Sequence, residues 1–424
     1  MFKRSRKTSF IESGVVTPVW RAIAVNVRSM PRYRLSPTPE QEVGLLKHCT
    51  QARLVWNLAV EQHSHWRPGM GSAPGYVEQA RQLTEARAEF PWLRAGSVTV
   101  QQQALRDFAQ AMRNFFASTH RKPTWRKAGR DEGFRQVALK PQHIQRLNRR
   151  CGQVWVPEVG WIRFRWSRRV TPGVKSYRVT QDRVGRWHIA FAAIPDPIPA
   201  PGNSQVVGVD RGVVVSAALS TGDILKVPGL TGGERRRLEQ LHHRLARCQR
   251  GSHRRRRVRR AITRLTARET DRRKDWVEKS STELARRFDV IRVEDLNIRG
   301  MARSAKGTIE RPGRNVRQKA GLNRGILANG WGLLITRLEH KAAGRVERVK
   351  AAFTSQQCSA CSHIASENRK SQAVFQCIVC RFTCHADVNA ARNIAAGRAV
   401  TAQGALQPLG GAVNCEPQLA PVAF

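Results

Sequence analysis

The sequence predicts an α/β domain that opens on a short β-meander and carries an inserted zinc ribbon, preceded by a small antiparallel β-barrel with a helical insertion. Three observations predict it. Two short apolar runs, Gln205–Asp210 and Phe288–Glu294, each read as a strand ending in a carboxylate. Between about Phe134 and Ala193 the apolar residues alternate with period two, after a stretch of helical spacing. Cys358 and Cys361 are followed, after fifteen intervening residues, by Cys377 and Cys380.

The elements follow in chain order. Residues 1–30 are basic and poor in acids, and are expected to be a disordered extension or to lie upstream of a true start near Met30. From Arg32 a short strand leads through SPTPEQ into a helix marked by Leu45, Leu46, Ala52, Val55, Leu58 and Ala59. Further helices are expected at Tyr76–Phe90 and Val100–Ala117, the latter with a core stripe of Leu105, Phe108, Met112, Phe115 and Phe116. In the Pro-containing loop that follows, Arg121, Lys122, Arg126 and Lys127 flank Trp125; phosphate contact with base stacking on Trp125 competes here with a core-anchoring tryptophan.

In the alternating region, Trp161, Arg163 and Arg165 oppose Ile162, Phe164 and Trp166, which gives the barrel one basic face. Ile194–Ser204 holds four prolines and a glycine in eleven residues and is read as a linker. The meander runs from Gln205 through Val213–Leu219 to Ile224. Glu234–Phe288 then reads as a helical hairpin broken at Gly251-Ser252. Its second arm carries Arg254, Arg255, Arg256 and Arg257 among six arginines in seven positions, which favours phosphate contact over mere solvation. Met301–Arg324 is Gly- and Arg-rich without apolar period and is expected to be a mobile loop; Arg324 at its end is a further nucleic-acid candidate. The expected domains are therefore 31–200, with its helical insertion at about 40–130; 205–357, containing the hairpin 234–288; the ribbon 358–384; a closing motif 385–398; and a disordered tail 399–424.

Charge narrows the function. The 424 residues are 41% hydrophobic, enough for two or three domains, yet 75 Lys+Arg against 31 Asp+Glu leave a formal charge of +44. So large an excess repels itself unless a polyanion neutralises it, and nucleic acid is the default partner. No run approaches the roughly 20 apolar residues of a membrane span. Nine cysteines, five of them crowded between Cys358 and Cys384, do not make a disulfide framework and point to a reducing, cytoplasmic setting.

Taken alone, Asp210 reads as a turn residue and Asp387, at the head of a helix over Val388–Ala396, as a helix cap. Together with Glu294 they make sense as an oxygen-ligand cage. Three carboxylates on separate elements can hold two Mg²⁺ ions about 4 Å apart, with positions left for water and a phosphodiester. Cys358, Cys361, Cys377 and Cys380 have the spacing of a structural Zn²⁺ site, which is closed and therefore not catalytic; Cys384, His363 and His385 are left outside it.

The ordered set VGVDRG, IRVEDLNIRGM, GLNRGILANGWG, TSQQCSACS and HADVNAARNI resembles the TnpB (OrfB) family encoded by insertion sequences, related to the type V CRISPR nucleases; the likeness runs from about Arg32 to about Gly397. The resemblance implies a RuvC-like (RNase H-fold) nuclease domain behind a wedge barrel, with Asp210, Glu294 and Asp387 as its metal-binding acids. It implies an RNA-guided, Mg²⁺-dependent endonuclease whose partners are a guide RNA and target double-stranded DNA in a prokaryotic nucleoid. The chain departs from the family pattern at Ala373 and Ala386, where many relatives carry Arg, and at Ser362 and Arg381, where Gly is commoner; Arg369, Lys370 and Arg381 are the substitutes at hand. A binding-only RNA-guided regulator would show an eroded acid set, and an accessory transposase would need joining chemistry. The intact acids favour cutting.

Overall fold

A computed structural model of the chain describes residues 32–67, 69–193, 195–350 and 352–397, so the expected extension 1–30 and tail 399–424 lie outside the described residues. The described residues form two compact units, one running from residue 32 to 197 with 228–275 and the other of 198–227 with 276–397.

In the first unit, β1 (Arg32–Ser36) leads into α1 (Pro39–Ser64). That helix starts where the sequence signals it: Thr38 Oγ1 accepts from the Gln41 N–H and Gln41 Oε1 accepts from the Thr38 N–H, with Pro39 pre-set for the first turn. Its stripe of Leu45, Cys49, Ala52, Val55 and Ala59 is buried. After α2 (Tyr76–Glu89) and the single turn α3 (Pro91–Arg94) comes α4 (Val98–Phe116), which packs on α1 with Trp56 edge-on to Phe108 at 5.5 Å. Leu105, Phe108 and Met112 are core residues as expected, but Phe116, in the last position of the helix, is 73% exposed.

The strands β2 (Gly133–Val137), β3 (Ile144–Arg146), β4 (Cys151–Val156), β5 (Gly160–Arg165), β6 (Ser176–Gln181) and β7 (Trp187–Phe191) join β1 in an antiparallel sheet of order β2-β6-β7-β1-β5-β4-β3. β1 pairs with β7 through Arg32–Arg34 and with β5 through Leu35 and Ser36, so one short strand serves both halves. The period of two has the expected meaning: Ile162, Phe164, Ile189 and Phe191 are buried, and Arg163 and Arg165 face water. Among the described residues no pairing joins β2 to β3, so the ladder expected as a barrel is open at that seam. The unit also holds α5 (Gly232–Ala246) and most of α6 (His253–Arg287), an antiparallel-type helical pair with a small core of Leu241, Cys248, Val258 and Leu265.

The second unit is a five-stranded mixed sheet, β10-β9-β8-β11-β12. β8 (Val206–Asp210), β9 (Ala217–Leu219) and β10 (Ile224–Leu225) form the predicted antiparallel meander. β11 (Val290–Glu294) and β12 (Val346–Val349) run parallel to β8. Val207, Val209, Ile291 and Val293 form one buried face with Val277 and Leu284 from the end of α6. Between β11 and β12 lie α7 (Ile298–Met301), α8 (Val316–Asn329) and α9 (Trp331–Lys341), of which α9 adds Leu334 and Leu338 to that core. The stretch Met301–Arg324, expected to be a loop, thus contains much of α8, whose Asn323 amide donates to the carbonyls of Ala302 and Arg303 at 3.2 and 3.1 Å. Only Ile326 and Asn329 of α8 are buried, which leaves no apolar period to read. After β12 come the hairpin β13 (Val374–Gln376) and β14 (Thr383–His385) and then α10 (Ala386–Ala395).

Candidate functional site

Asp210 and Glu294 end neighbouring parallel strands. Val209 is in register with Val293, so the two carboxylates leave the sheet side by side at its carboxyl edge. Asp387 reaches them from the first turn of α10, whose His385 cap accepts from the Asp387 N–H at 3.2 Å. This approach depends on Gly208. Strand alternation turns Gly208 away from the Val207/Val209 core toward α10, and a Cβ there would stand 2.0 Å from the Ala391 carbonyl oxygen and 2.4 Å from the Ala395 nitrogen. With no side chain between them, helix and strand touch backbone to backbone, and the three acids line one cavity of about 290 Å³.

The cavity is electrostatically unbalanced. Burial, then the charges of Glu294 and Asp387, push the Asp210 carboxyl well above the usual range, with Arg369 pulling the other way. Burial also raises Glu294, against the Arg211 guanidinium and a 3.2 Å hydrogen bond from Thr354 Oγ1 to its Oε1. Arg369 Nη2 lies 3.3 Å from Asp387 Oδ1 and lines the same cavity. Such a set suits a hard divalent cation, which would relieve the repulsion. It is looser than the cysteine cluster: among the described residues, only the four cysteines bring three or more ligand atoms within 4.8 Å of one another.

Cys358, Cys361, Cys377 and Cys380 do so as a group, with Sγ separations of 3.6 Å for Cys358–Cys380 and 3.5 Å for Cys361–Cys377. These are far beyond a disulfide and close to the edge of a tetrahedron of sulfurs around one ion. Burial opposes ionisation of Cys377, but the backbone N–H groups of Cys380 and Val379 and the neighbouring thiols bring it down to about 6. Ser362 and Arg381, each just after a knuckle, have φ of 65° and 64°. That is the left-handed region, which explains physically why glycine would be at ease at both positions. Ala386 is fully buried beside Cys358, Phe375 and Cys377, so a long arginine side chain has no room there.

Several residues that hold this arrangement are not among the sequence candidates. Asn389 and Asn393, buried in α10, donate to the Gln357 carbonyl at 2.7 Å each; Asn393 also reaches the Thr354 carbonyl, and Asn389 Oδ1 accepts from the Ser359 N–H. They tie the segment before the first knuckle to the helix that carries Asp387. Their i, i+4 spacing within HADVNAARNI was the available clue. Arg211, next to Asp210 and buried, donates to the Glu294 carbonyl.

The basic candidates divide. Trp125 is 52% exposed, which overturns the core-anchor reading, and Arg121, Lys122 and Lys127 beside it are exposed. Arg126 instead lies over the Trp56 ring, 3.7 Å from its centroid. Arg254, Arg256 and Arg257 are exposed, whereas Arg255 donates to the Leu245 and Cys248 carbonyls and closes the end of α5. Arg324 is exposed on α8.

The architecture is therefore that of a mixed α/β sheet with acids at its carboxyl edge and a four-cysteine module docked beside them. Residues 188–305 match the family described as "Probable transposase" (OrfB_IS605), 331–394 the "Cas12f1-like, TNB domain", and 30–68 a "Helix-turn-helix domain", a segment that in this chain is β1 and the single helix α1. The chain is 35% identical over 394 residues to "Putative RNA-guided DNA endonuclease InsQ" of Escherichia coli (strain K12), covering 91% of this chain and 96% of that one. It is 31% identical over 383 residues to a "Putative RNA-guided DNA endonuclease" of Streptomyces pristinaespiralis, covering 88% and 90%. Its fold is similar to that of the protein in a Cas12f1–sgRNA–target DNA complex, with a TM-score of 0.52 at 15% identity over 84% of this chain and 83% of that one. The chain belongs to the TnpB (OrfB) family.

Proposed function

We propose that this protein is an RNA-guided DNA endonuclease with a RuvC-like nuclease domain, dependent on Mg²⁺ and stabilised by one structural Zn²⁺. One observation carries the proposal: Asp210, Glu294 and Asp387 surround a single cavity in which burial and mutual repulsion raise the first two. A structural set would come with its own cations; this one lacks enough. The names of the relatives support the same reading.

Bound there, Mg²⁺ would supply Lewis-acid charge at the scissile phosphate and a water of lowered pKa. The protein's own groups do the rest. Asp210, Glu294 and Asp387 provide the hard oxygen ligands; Thr354 and Arg211 fix Glu294 through its carboxylate and its carbonyl. Arg211 is held on the Glu294 carbonyl, so Arg369, already drawn to Asp387 and lining the same cavity, is the guanidinium we assign to a phosphate oxygen, in answer to the absence of Arg at 373 and 386. The four cysteines hold Zn²⁺, and its closed set of ligands leaves it no part in cutting.

The antiparallel sheet with its helices, residues 31–200, is the wedge and recognition region that holds guide RNA. Arg121, Lys122, Trp125 and Lys127, Arg254, Arg256 and Arg257, and Arg324 offer the exposed contacts. Sequence choice then rests on guide pairing rather than on side chains.

The test is to purify the chain with the RNA it retains from its own locus and assay cleavage of matching DNA. Mg²⁺-dependent cutting of guide-matched DNA by wild type, abolished by Asp210→Ala, is the expected result. Tight target binding without cutting would overturn the nuclease reading. Elemental analysis should find one zinc per chain, lost in Cys377→Ser.

A further inference from the structure

Two loops of the first unit, the β3–β4 turn and the β5–β6 connection, enclose an open cleft of about 590 Å³ lined by Arg146, Arg149, Trp166, Arg168 and Arg169 with Ser167, Val170 and Pro172. No acid lines it. All four guanidiniums are exposed, and none has a carboxylate partner among the described residues, in a protein where many other arginines do. Four neighbouring unpaired cations repel one another, and an anion removes that repulsion.

The cleft also has a flat apolar floor. The half-buried Trp166 ring stacks on Phe164, with centroids 5.4 Å apart and planes at 26°. It lies across Gly152, where a Cβ would come within 2.4 Å of the ring. The Arg146 guanidinium stands 5.6 Å from its centroid. The loop is held in place: the Tyr33 hydroxyl donates to the Arg169 carbonyl at 3.1 Å, the Arg168 guanidinium lies 6.0 Å from the Tyr33 ring centroid, and the Trp166 backbone N–H donates to the Arg150 carbonyl at 2.8 Å. The platform and the loop backbone that carries Arg168 and Arg169 are thus ordered before any ligand arrives, which lowers the entropy lost on binding.

We propose that this cleft binds an unpaired nucleotide of the guide RNA, its base extending the Trp166–Arg146 platform and its phosphates meeting Arg149, Arg168 and Arg169. The proposal rests on the RNA-guided reading above and adds the subsite to it. A planar platform beside phosphate-seeking guanidiniums in a concave site suits a splayed-out base of a loop or bulge, whereas bases within a duplex are stacked on each other and offer it only their edges. The volume falls in the range of small-ligand sites and accommodates one nucleotide with its flanking phosphates.

The experiment is to purify the full chain from cells grown with 4-thiouridine, irradiate it with near-ultraviolet light and map the cross-linked peptides. The expected result is a modified nucleotide on the peptides carrying residues 146–150 or 166–172. Trp166→Ala should cut that cross-link about tenfold, as loss of one base stack implies, while Trp166→Phe keeps most of it. Since Trp166→Ala removes packing against Phe164, Arg168→Ala/Arg169→Ala provides a second route: rebinding of the stripped RNA should show a salt slope shallower by about 1.4, two phosphates' worth on a single strand. RNA retained and cross-linked elsewhere but never here, a salt slope unchanged in the double variant, or duplex DNA displacing the cross-link at this peptide would each overturn the subsite alone. A chain that retains no RNA would sink the guided reading and the subsite with it.

Discussion

Asp182 and Asp210 are both carboxylates at strand ends, and their surroundings treat them in opposite ways. Asp182, at the β6–β7 turn, accepts from the N–H groups of Val184 and Arg186, from the Arg186 guanidinium at 2.6 Å and from His188 at 3.2 Å. Burial alone would raise it, yet these donors bring it down to about 2. Arg186 in turn reaches Asp271 at 2.6 Å, so the first unit's cluster is closed and its charges are spent on one another. Asp210 and Glu294 are raised, and the cations near them, Arg211 and Arg369, leave the three acids undercompensated. The first cluster contributes stability as it stands. The second stores repulsion that a bound cation would release, which is what separates a structural carboxylate from a candidate metal ligand.

The contrast can be broken by substitution. Asp210→Asn should lower DNA cleavage by about a thousandfold or more, because several kcal/mol of charge stabilisation at the phosphate is removed, and should raise the thermal midpoint of metal-free protein. Asp182→Asn should do the reverse, sparing chemistry and costing about 1 to 2 kcal/mol of stability after allowance for solvent screening; equal effects of the two on stability would erase the distinction.

Divalent metal should act on one unit only. At a hundred times its dissociation constant Mg²⁺ stabilises what it binds by about 2.7 kcal/mol, and hydrogen exchange should slow in β8, β11 and α10 while β6 and β7 stay unchanged. Acid should separate the units by sign. His188 is held down to about 4, by burial and by Arg32 against the pull of Asp182. Its contribution is complete above about 6.5 and is lost as pH falls to 4; that of Asp182 is lost between about 4 and 2. For Asp210 and Glu294 the folded state prefers the proton, so metal-free stability of the second unit rises as pH falls from neutral toward the ordinary carboxylate range of about 4. Exchange rates corrected for intrinsic pH dependence, compared at pH 7 and pH 5, should move in opposite directions in the two units. The smallest effect concerns the knuckles: Ser362→Gly and Arg381→Gly should each stabilise the cysteine module against chelation by about 1 kcal/mol.

Much of this was legible in the chain. Strands ending in Asp210 and Glu294, the cysteine spacing and the helical pair broken at Gly251 all declare themselves locally, through alternation, fixed ligand spacing and turn residues. What escaped depends on partners distant in sequence. Nothing local tells Arg255, which caps α5, from Arg254 and Arg256, which face water; nor Arg126, stacked on Trp56, from its neighbour Lys127. Trp125 could be read either as a stacking platform or as a core anchor, because nothing local shows which side of the chain its ring faces. α8 was hidden because a helix that buries two residues leaves almost no period. The spacing of Asn389 and Asn393 puts them on one helix face, but their partners and that of Thr354 could not be read, because each is a backbone carbonyl or carboxylate more than thirty positions away.

Gly208 has a further consequence, in the order of synthesis. The ribosome makes β8 and its neighbours first, while α10, which must press against the bare backbone of Gly208, is among the last elements to emerge. Until it does, Asp387 is missing from the cavity. A nascent chain therefore holds the residues of the first unit before the cavity is whole, and acquires its full set of acids only when α10 closes on the strand.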